Sequence, residues 1–188
     1  TNELFIQQLN RQQNTNRVWT VKAGESNAVN IFTDKDDAWL LTNDDIEWLQ
    51  GNQWFTWESE RSGWRHLYRV SRDGKTIVPI TKGDFDYINH VGTDIKNGIV
   101  YFMASPNNFT QRYLYSAKLF GDGSVKRLSS VNEAGTHSYD MSPSGRWAVH
   151  SFANAATPPV IDMVSFPQGK SVRMLEKNEK AKSQYAAL

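Results

Sequence analysis

His137, Ser138 and Asp140 are the residue types of acyl-transfer catalysis: an imidazole base, a hydroxyl nucleophile and an orienting carboxylate. Their spacing argues against that use. They lie in Thr136 to Met141, which alternates as a strand does, and successive side chains of a strand point to opposite faces. His137 and Ser138 therefore cannot share one line of proton transfer, and a structural place in the strand is expected. The four histidines, His66, His90, His137 and His150, show no His-x-x-x-His spacing and have no cysteine beside them. They read as ordinary imidazoles, and neither a metal nor a cofactor is expected. Asp34, Asp36 and Asp37, followed by Asp44-Asp45, suggest either an acidic rim for a peptide amine or a cation, or a solvated turn. Between them stands Trp39, which reads as a core ring between neighbouring sheets or as the wall of a pocket. Glu60-Arg61 is expected to form a charge-assisted pair that fixes a hairpin.

The elements that would position these residues are strands. The chain has 188 residues, 39% hydrophobic and 12% aromatic, enough to bury a sizeable core. Its 21 basic and 20 acidic residues are interspersed and leave a net charge of +1, which offers no electrostatic footprint for nucleic acid or for an anionic membrane. No apolar run is long enough for a spanning helix. The lack of cysteine leaves the compartment open. The chain begins at Thr1 without an initiator methionine and reads as trimmed.

An aromatic strand recurs at a nearly constant offset. Gln53-Trp-Phe-Thr-Trp57, Gly98-Ile-Val-Tyr-Phe102 and Gly145-Arg-Trp-Ala-Val149 place Trp54, Tyr101 and Trp147 47 and 46 residues apart. A further strand follows each in step, at His66 to Val70, Tyr113 to Ala117 and Val160 to Val164, and then another, at Thr76 to Thr81, Ser124 to Ser129 and Ser171 to Leu175. Asp73-Gly74, Asp122-Gly123 and Gln168-Gly169 supply the turns between them. A weaker strand precedes each unit, at Ile46 to Leu49, Tyr87 to Thr93 and Thr136 to Met141. Four strands per 40 to 50 residues is the signature of a β-propeller blade. Leu4 to Asn10, Arg17 to Val21 and Ala28 to Thr33 fit the last three strands of an earlier, incomplete blade. The expected fold is all-β: a partial β-propeller of about four four-stranded antiparallel blades, the first incomplete, over 1–38, 39–84, 85–131 and 132–176. Residues 177–188 should form a linker or short helix. An immunoglobulin-like sandwich is the alternative, but it gives no reason for the offset.

The motif Ser59-Glu60-Arg61-x-Gly63-x-x-His66-Leu67-Tyr68 resembles the propeller of dipeptidyl-peptidase IV-like serine exopeptidases, in the prolyl oligopeptidase group. Asp44-Asp45-Ile46, Ile80-Thr81-x-Gly83, Asn97-Gly98-x-Val100-Tyr101-Phe102, Gly135-Thr136-His137, Asp140-Met-Ser142-Pro143-Ser-Gly145 and Thr157-Pro158-Pro159-Val160 continue the similarity in order. The resemblance implies the C-terminal half of an eight-bladed propeller over an α/β-hydrolase catalytic domain of the same parent chain, with Leu175 onward leading toward that domain. It also implies that the parent releases N-terminal dipeptides from peptides, after Pro or Ala, and favours a periplasmic or secreted setting. Trp39, Asp44 and Asp45 become candidates for the rim of the substrate pocket. No Gly-x-Ser-x-Gly nucleophile elbow occurs in the chain, so no catalytic residue is assigned and the segment alone is expected to be inactive. An arc of blades leaves two apolar faces to be covered, so self-association is expected as well. A stand-alone propeller that binds protein or glycan is the rival reading.

Overall fold

The computed structural model describes residues 2–185; Thr1 and 186–188, the outermost parts of the first and last expected segments, lie outside the described residues. Among the described residues, fifteen strands and one helix form two compact units, divided between Thr81 and Lys82. The first unit holds a three-stranded sheet, β1 (Glu3–Leu9), β2 (Thr15–Lys22) and β3 (Val29–Lys35). Its second sheet comprises β4 (Trp48–Leu49), β5 (Trp54–Ser59), β6 (His66–Ser71) and β7 (Ile77–Pro79). The second unit holds β8 (Asn89–Asp94), β9 (Ile99–Ala104), β10 (Tyr113–Lys118) and β11 (Val125–Arg127) as one sheet. The other sheet is β12 (Thr136–Met141), β13 (Trp147–Asn154), β14 (Thr157–Ser165) and β15 (Lys170–Glu176), after which helix α1 (Glu179–Tyr185) closes the described chain. All four sheets are antiparallel meanders of sequence neighbours, the cheapest connection a chain can make.

In the first unit the two sheets meet through aromatic rings. Phe55 and Trp57 of β5 are fully buried with Val18 of β2, Phe32 of β3 and Val70 of β6. Phe32 and Trp57 pack edge to face at 4.9 Å, as do Phe5 and Phe55 at 5.2 Å. Both faces of β5 are covered, as the density of aromatic residues from Trp54 onward requires. Six of the seven tryptophans belong to this unit. A carboxylate is buried in the same place. Asp34 of β3, 2% exposed, accepts hydrogen bonds from Trp57 Nε1 (2.8 Å), Ser59 Oγ (3.0 Å) and Arg61 Nη2 (2.7 Å). The β6–β7 turn closes against β3. Gly74, at φ +71°, has the Ile31 carbonyl oxygen where a Cβ would stand, 2.0 Å away, so a side chain is excluded by both sterics and conformation.

In the second unit β9 is buried from Val100 to Ala104. Tyr101 and Met103 join Leu114 of β10 in one cluster, against which Tyr139 and Met141 of β12 and Phe166 pack. On the other face of β9, Phe102 stacks between Tyr87 at 4.9 Å and Tyr115 at 6.0 Å. Burial without a charged partner pushes the Tyr101 hydroxyl up to about 12, desolvation being the larger cause and Asp94 the smaller.

Trp54, Tyr101 and Trp147 all lie in the second strand of their sheets, but Tyr101 is not at the same depth. Trp54, Ile99 and Trp147 open their strands, paired with Ser71, Lys118 and Ser165, which close the next ones. Tyr101 sits one pleat period further along, which keeps its face and changes its level. Strand β4 is confined to two residues, and β7 and β11 to three each, shorter than the apolar patterns suggested. Strand β14 starts earlier than expected, at Thr157-Pro158-Pro159. The ladder to β13 shifts register between Phe152 and Asn154, where prolines without an N–H are tolerated.

Replacing Asp34 by Ala leaves the Trp57 indole and Arg61 guanidinium without their acceptor, so unfolding free energy should fall by about 3 kcal/mol. Urea titration of the purified variant checks this, and a loss below about 0.5 kcal/mol would show that the carboxylate is dispensable.

Candidate functional site

The segment from Asp36 to Glu47, between β3 and β4, carries Trp39, Asp44 and Asp45. It is held by polar bonds along its length. Asp36 Oδ1 accepts from the Ala38 amide at 2.8 Å, and the Leu40 amide donates to the Gln13 carbonyl at 2.6 Å. Asn43 pairs with Glu58 of β5 as a ladder residue would, its side chain donating to the Glu58 carbonyl (3.0 Å) and accepting from the Glu58 amide (2.5 Å). Gln7 of β1 binds the Asn43 backbone on the other side, at 2.7 and 3.1 Å.

Trp39 stands on this support 52% exposed, its Nε1 donating to Gln13 Oε1 at 2.9 Å. It is therefore not a core ring between sheets; Leu40 takes the buried place beside it. Trp39 lines a small hollow with Leu41, Thr42, Glu58, Glu60 and Arg65. Arg65 donates to Glu58 Oε2 through Nε at 2.8 Å and also through Nη2. An aromatic face beside a paired and a solvent-facing carboxylate can bind an extended peptide or an amine by stacking and charge-assisted hydrogen bonds. Asp44 and Asp45 are exposed and do not line this hollow. The acidic rim suggested by the run of aspartates is not assembled, because Asp34 is buried in the core and Asp36 caps its own turn. Arg61 reaches Asp34 rather than its neighbour Glu60.

The second unit contains a polar chain that sequence spacing did not disclose. His150 of β13 faces Asp162 of β14 across the ladder, Nδ1 to Oδ1 at 2.7 Å. His150 Nε2 lies 2.9 Å from His137 Nδ1, and His137 Nε2 lies 2.9 Å from the Glu133 carbonyl oxygen. His137, His150 and Asp162 are all buried. Tyr139 stacks on His150 at 4.5 Å, and Phe152 leans on His137 at 4.8 Å. His150, Asp162, Tyr139 and Glu133 border a cavity of about 420 Å³, whose apolar wall includes Val160 and Met174. Ser138 and Asp140 are exposed on the opposite face of β12, so the three residues of the triad pattern do not converge. The signal that would have found the real cluster is the β13–β14 register, which sets His150 opposite Asp162.

Comparison with known proteins gives a consistent result. The family model described as "Dipeptidyl peptidase IV (DPP IV) N-terminal region" matches residues 1–159. The chain is 27% identical over 154 residues to dipeptidyl peptidase 4 of Arthroderma otae, covering 79% of this chain and 20% of that protein. It is 29% identical over 115 residues to a probable dipeptidyl peptidase 4 of Aspergillus flavus, covering 57% and 15%. The chain thus spans about a fifth of the length of the Arthroderma relative. Among solved structures, dipeptidyl peptidase 4 of Porphyromonas gingivalis superposes with a TM-score of 0.78 at 24% identity, over 97% of this chain and 26% of that one. A putative dipeptidyl aminopeptidase IV of Bacteroides ovatus gives 0.78 at 18%, over 94% and 27%. The four antiparallel sheets are the fold of those neighbours.

Burial holds the His137 ring below the usual histidine range, with the hydrogen bond to the Glu133 carbonyl opposing it and nearby His150 assisting. The unfolded ring takes up a proton near pH 6.5 and the folded ring only at lower pH, so between those values the unfolded state binds more protons. The His137 contribution to stability should be complete above about pH 6.5 and fade as pH falls through the folded value. Urea midpoints from about pH 7 down to about pH 5, compared with those of His137→Gln, measure it. Parallel curves would rule it out.

Proposed function

Because the chain belongs to the dipeptidyl peptidase IV N-terminal region family, we propose that it is a non-catalytic propeller segment of a serine-type dipeptidyl peptidase. In this reading its sheets roof the active site of an α/β-hydrolase domain carried elsewhere on the parent chain and admit peptide ends for removal of N-terminal dipeptides. The sheets belong to an eight-bladed ring, and a periplasmic or secreted setting suits an enzyme that trims peptides. Support comes from the family match across 1–159 and from the relatives, which are named as dipeptidyl peptidases.

The observation that carries the site is Trp39. A tryptophan left half exposed, yet fixed by the Gln13 bonds and flanked by Glu58, Glu60 and Arg65, keeps about half of its apolar surface in water. A substrate-facing rim explains that exposure. We assign Trp39 to the wall that meets the peptide beyond the scissile dipeptide; Asp44 and Asp45, exposed on the same segment, add negative charge that attracts a peptide amine from a distance.

The 188-residue segment alone should not cleave a Gly-Pro amide, whereas the parent protein should. In the parent, Trp39→Ala should raise KM for a pentapeptide by roughly fivefold, the value of one aromatic contact, while leaving kcat and the KM of a short Gly-Pro amide nearly unchanged. Equal loss on both substrates, or none on either, would remove Trp39 from the pocket wall.

A further inference from the structure

The His137–His150–Asp162 chain poses a question of proton count. The Glu133 carbonyl can only accept, so His137 Nε2 carries a proton. One proton must lie between His137 Nδ1 and His150 Nε2, and a third between His150 Nδ1 and the Asp162 carboxylate. Three hydrogen bonds need three ring protons, and two neutral imidazoles carry only two. We propose that this cluster holds one additional proton on His150, as an imidazolium facing the Asp162 carboxylate, and acts as a pH sensor that fastens β12, β13 and β14 only in that singly loaded state.

The placement follows from the surroundings. His137 is the more enclosed ring and donates to a neutral carbonyl, so it stays neutral as the Nε2–H tautomer. His150 has the carboxylate directly opposite it. The other titratable or charged groups around the pair are Arg127 from β11, Tyr113 from β10, Tyr139 from β12 and Glu133 from the segment before β12. Arg127 is engaged elsewhere: it lies over the Tyr113 ring at 3.6 Å and donates to the Ser129 and Ser130 carbonyls. Burial raises the Tyr139 hydroxyl above its ordinary range, so it stays neutral and contributes no charge at physiological pH. The neighbouring cavity, bordered by His150 and Asp162, gives the extra proton a way in and out.

Either change of protonation opens the chain. Losing the proton sets a ring lone pair against the carboxylate, and gaining a second one sets two N–H groups against each other between His137 and His150. Both leave buried polar atoms unpaired. The sensor therefore has an acid limb, where the cluster gains a second extra proton, and an alkaline limb, where it loses the first.

The two limbs separate in Asp162→Asn. An amide at position 162 donates a proton of its own to neutral His150 Nδ1, so the chain closes with two neutral rings and the alkaline limb vanishes. Hydrogen exchange of the intact protein, read by mass spectrometry on peptides from 136–165 between about pH 5 and about pH 9.5, tests this once corrected for intrinsic exchange rates. Protection in the wild type should peak in between and fall on the order of tenfold on each side, the effect of one unpaired buried group. Asp162→Asn should keep the acid fall and lose the alkaline one. A flat wild-type profile, or an alkaline fall that persists in the variant, overturns the proposal. Should the variant fail to fold, 15N spectra of wild-type protein labelled in its histidine rings decide: three protonated ring nitrogens in this pair at neutral pH support it, and two refute it.

Discussion

A carboxylate taken out of water must be repaid in hydrogen bonds, and the first unit is arranged around one such repayment. Asp34 is on the last strand of the three-stranded sheet, and all three of its donors come from β5 and the residue two beyond its end. The bonds run across the sheet-to-sheet boundary that Phe32, Phe55 and Trp57 fill with rings. Ring packing supplies the driving force but tolerates sliding, since aromatic faces accept many offsets. The charge does not tolerate it, because a displaced ladder would strand an ion in an apolar place. Ser59 and Arg61, conspicuous in the sequence as parts of a Ser-Glu-Arg motif, thereby gain a physical role as two thirds of the Asp34 cradle. Glu60, the middle residue, turns outward to the hollow under Trp39. One hairpin end therefore both locks the core and shapes a surface.

The second unit solves the same problem with different chemistry. There Asp162 is the buried carboxylate and the donor opposite it is an imidazole, backed by a second imidazole and then a backbone carbonyl. An arginine keeps its charge at every pH a protein meets, whereas a histidine does not. The two units thus differ in how their polar fastenings respond to the medium, although their strand layouts are alike.

Much of the fold was legible because it depends on local patterns. Ile99 to Ala104 is apolar without alternation and lies covered on both faces; Asp73-Gly74 marks a turn whose left-handed glycine is needed twice over, for conformation and for clearance from Ile31. Level along a strand was less legible. Aligning Tyr101 with Trp54 and Trp147 matched ring to ring, whereas the ladder matches Ile99 to them. Contacts between residues distant in sequence were hidden altogether. Nothing near Asp34 announces that its partners lie 23 to 27 residues away, and an aspartate in a run of aspartates reads as solvated. Trp39 was visible as a candidate, but only the coordinates separate an exposed ring on a braced segment from a core ring. The His137–His150–Asp162 cluster needed two ladders in register before its members became neighbours.

The aromatic residues are divided unevenly, and the division has an optical consequence. All tryptophans but Trp147 belong to the first unit, and all tyrosines but Tyr68 to the second. Indole emission is therefore mostly a signal from the first unit, where Trp57 is hydrogen-bonded to the Asp34 carboxylate. The phenol side chains lie almost entirely in the second unit. The two halves therefore carry different chromophores, and a melting curve followed by indole emission alone reports chiefly on the first.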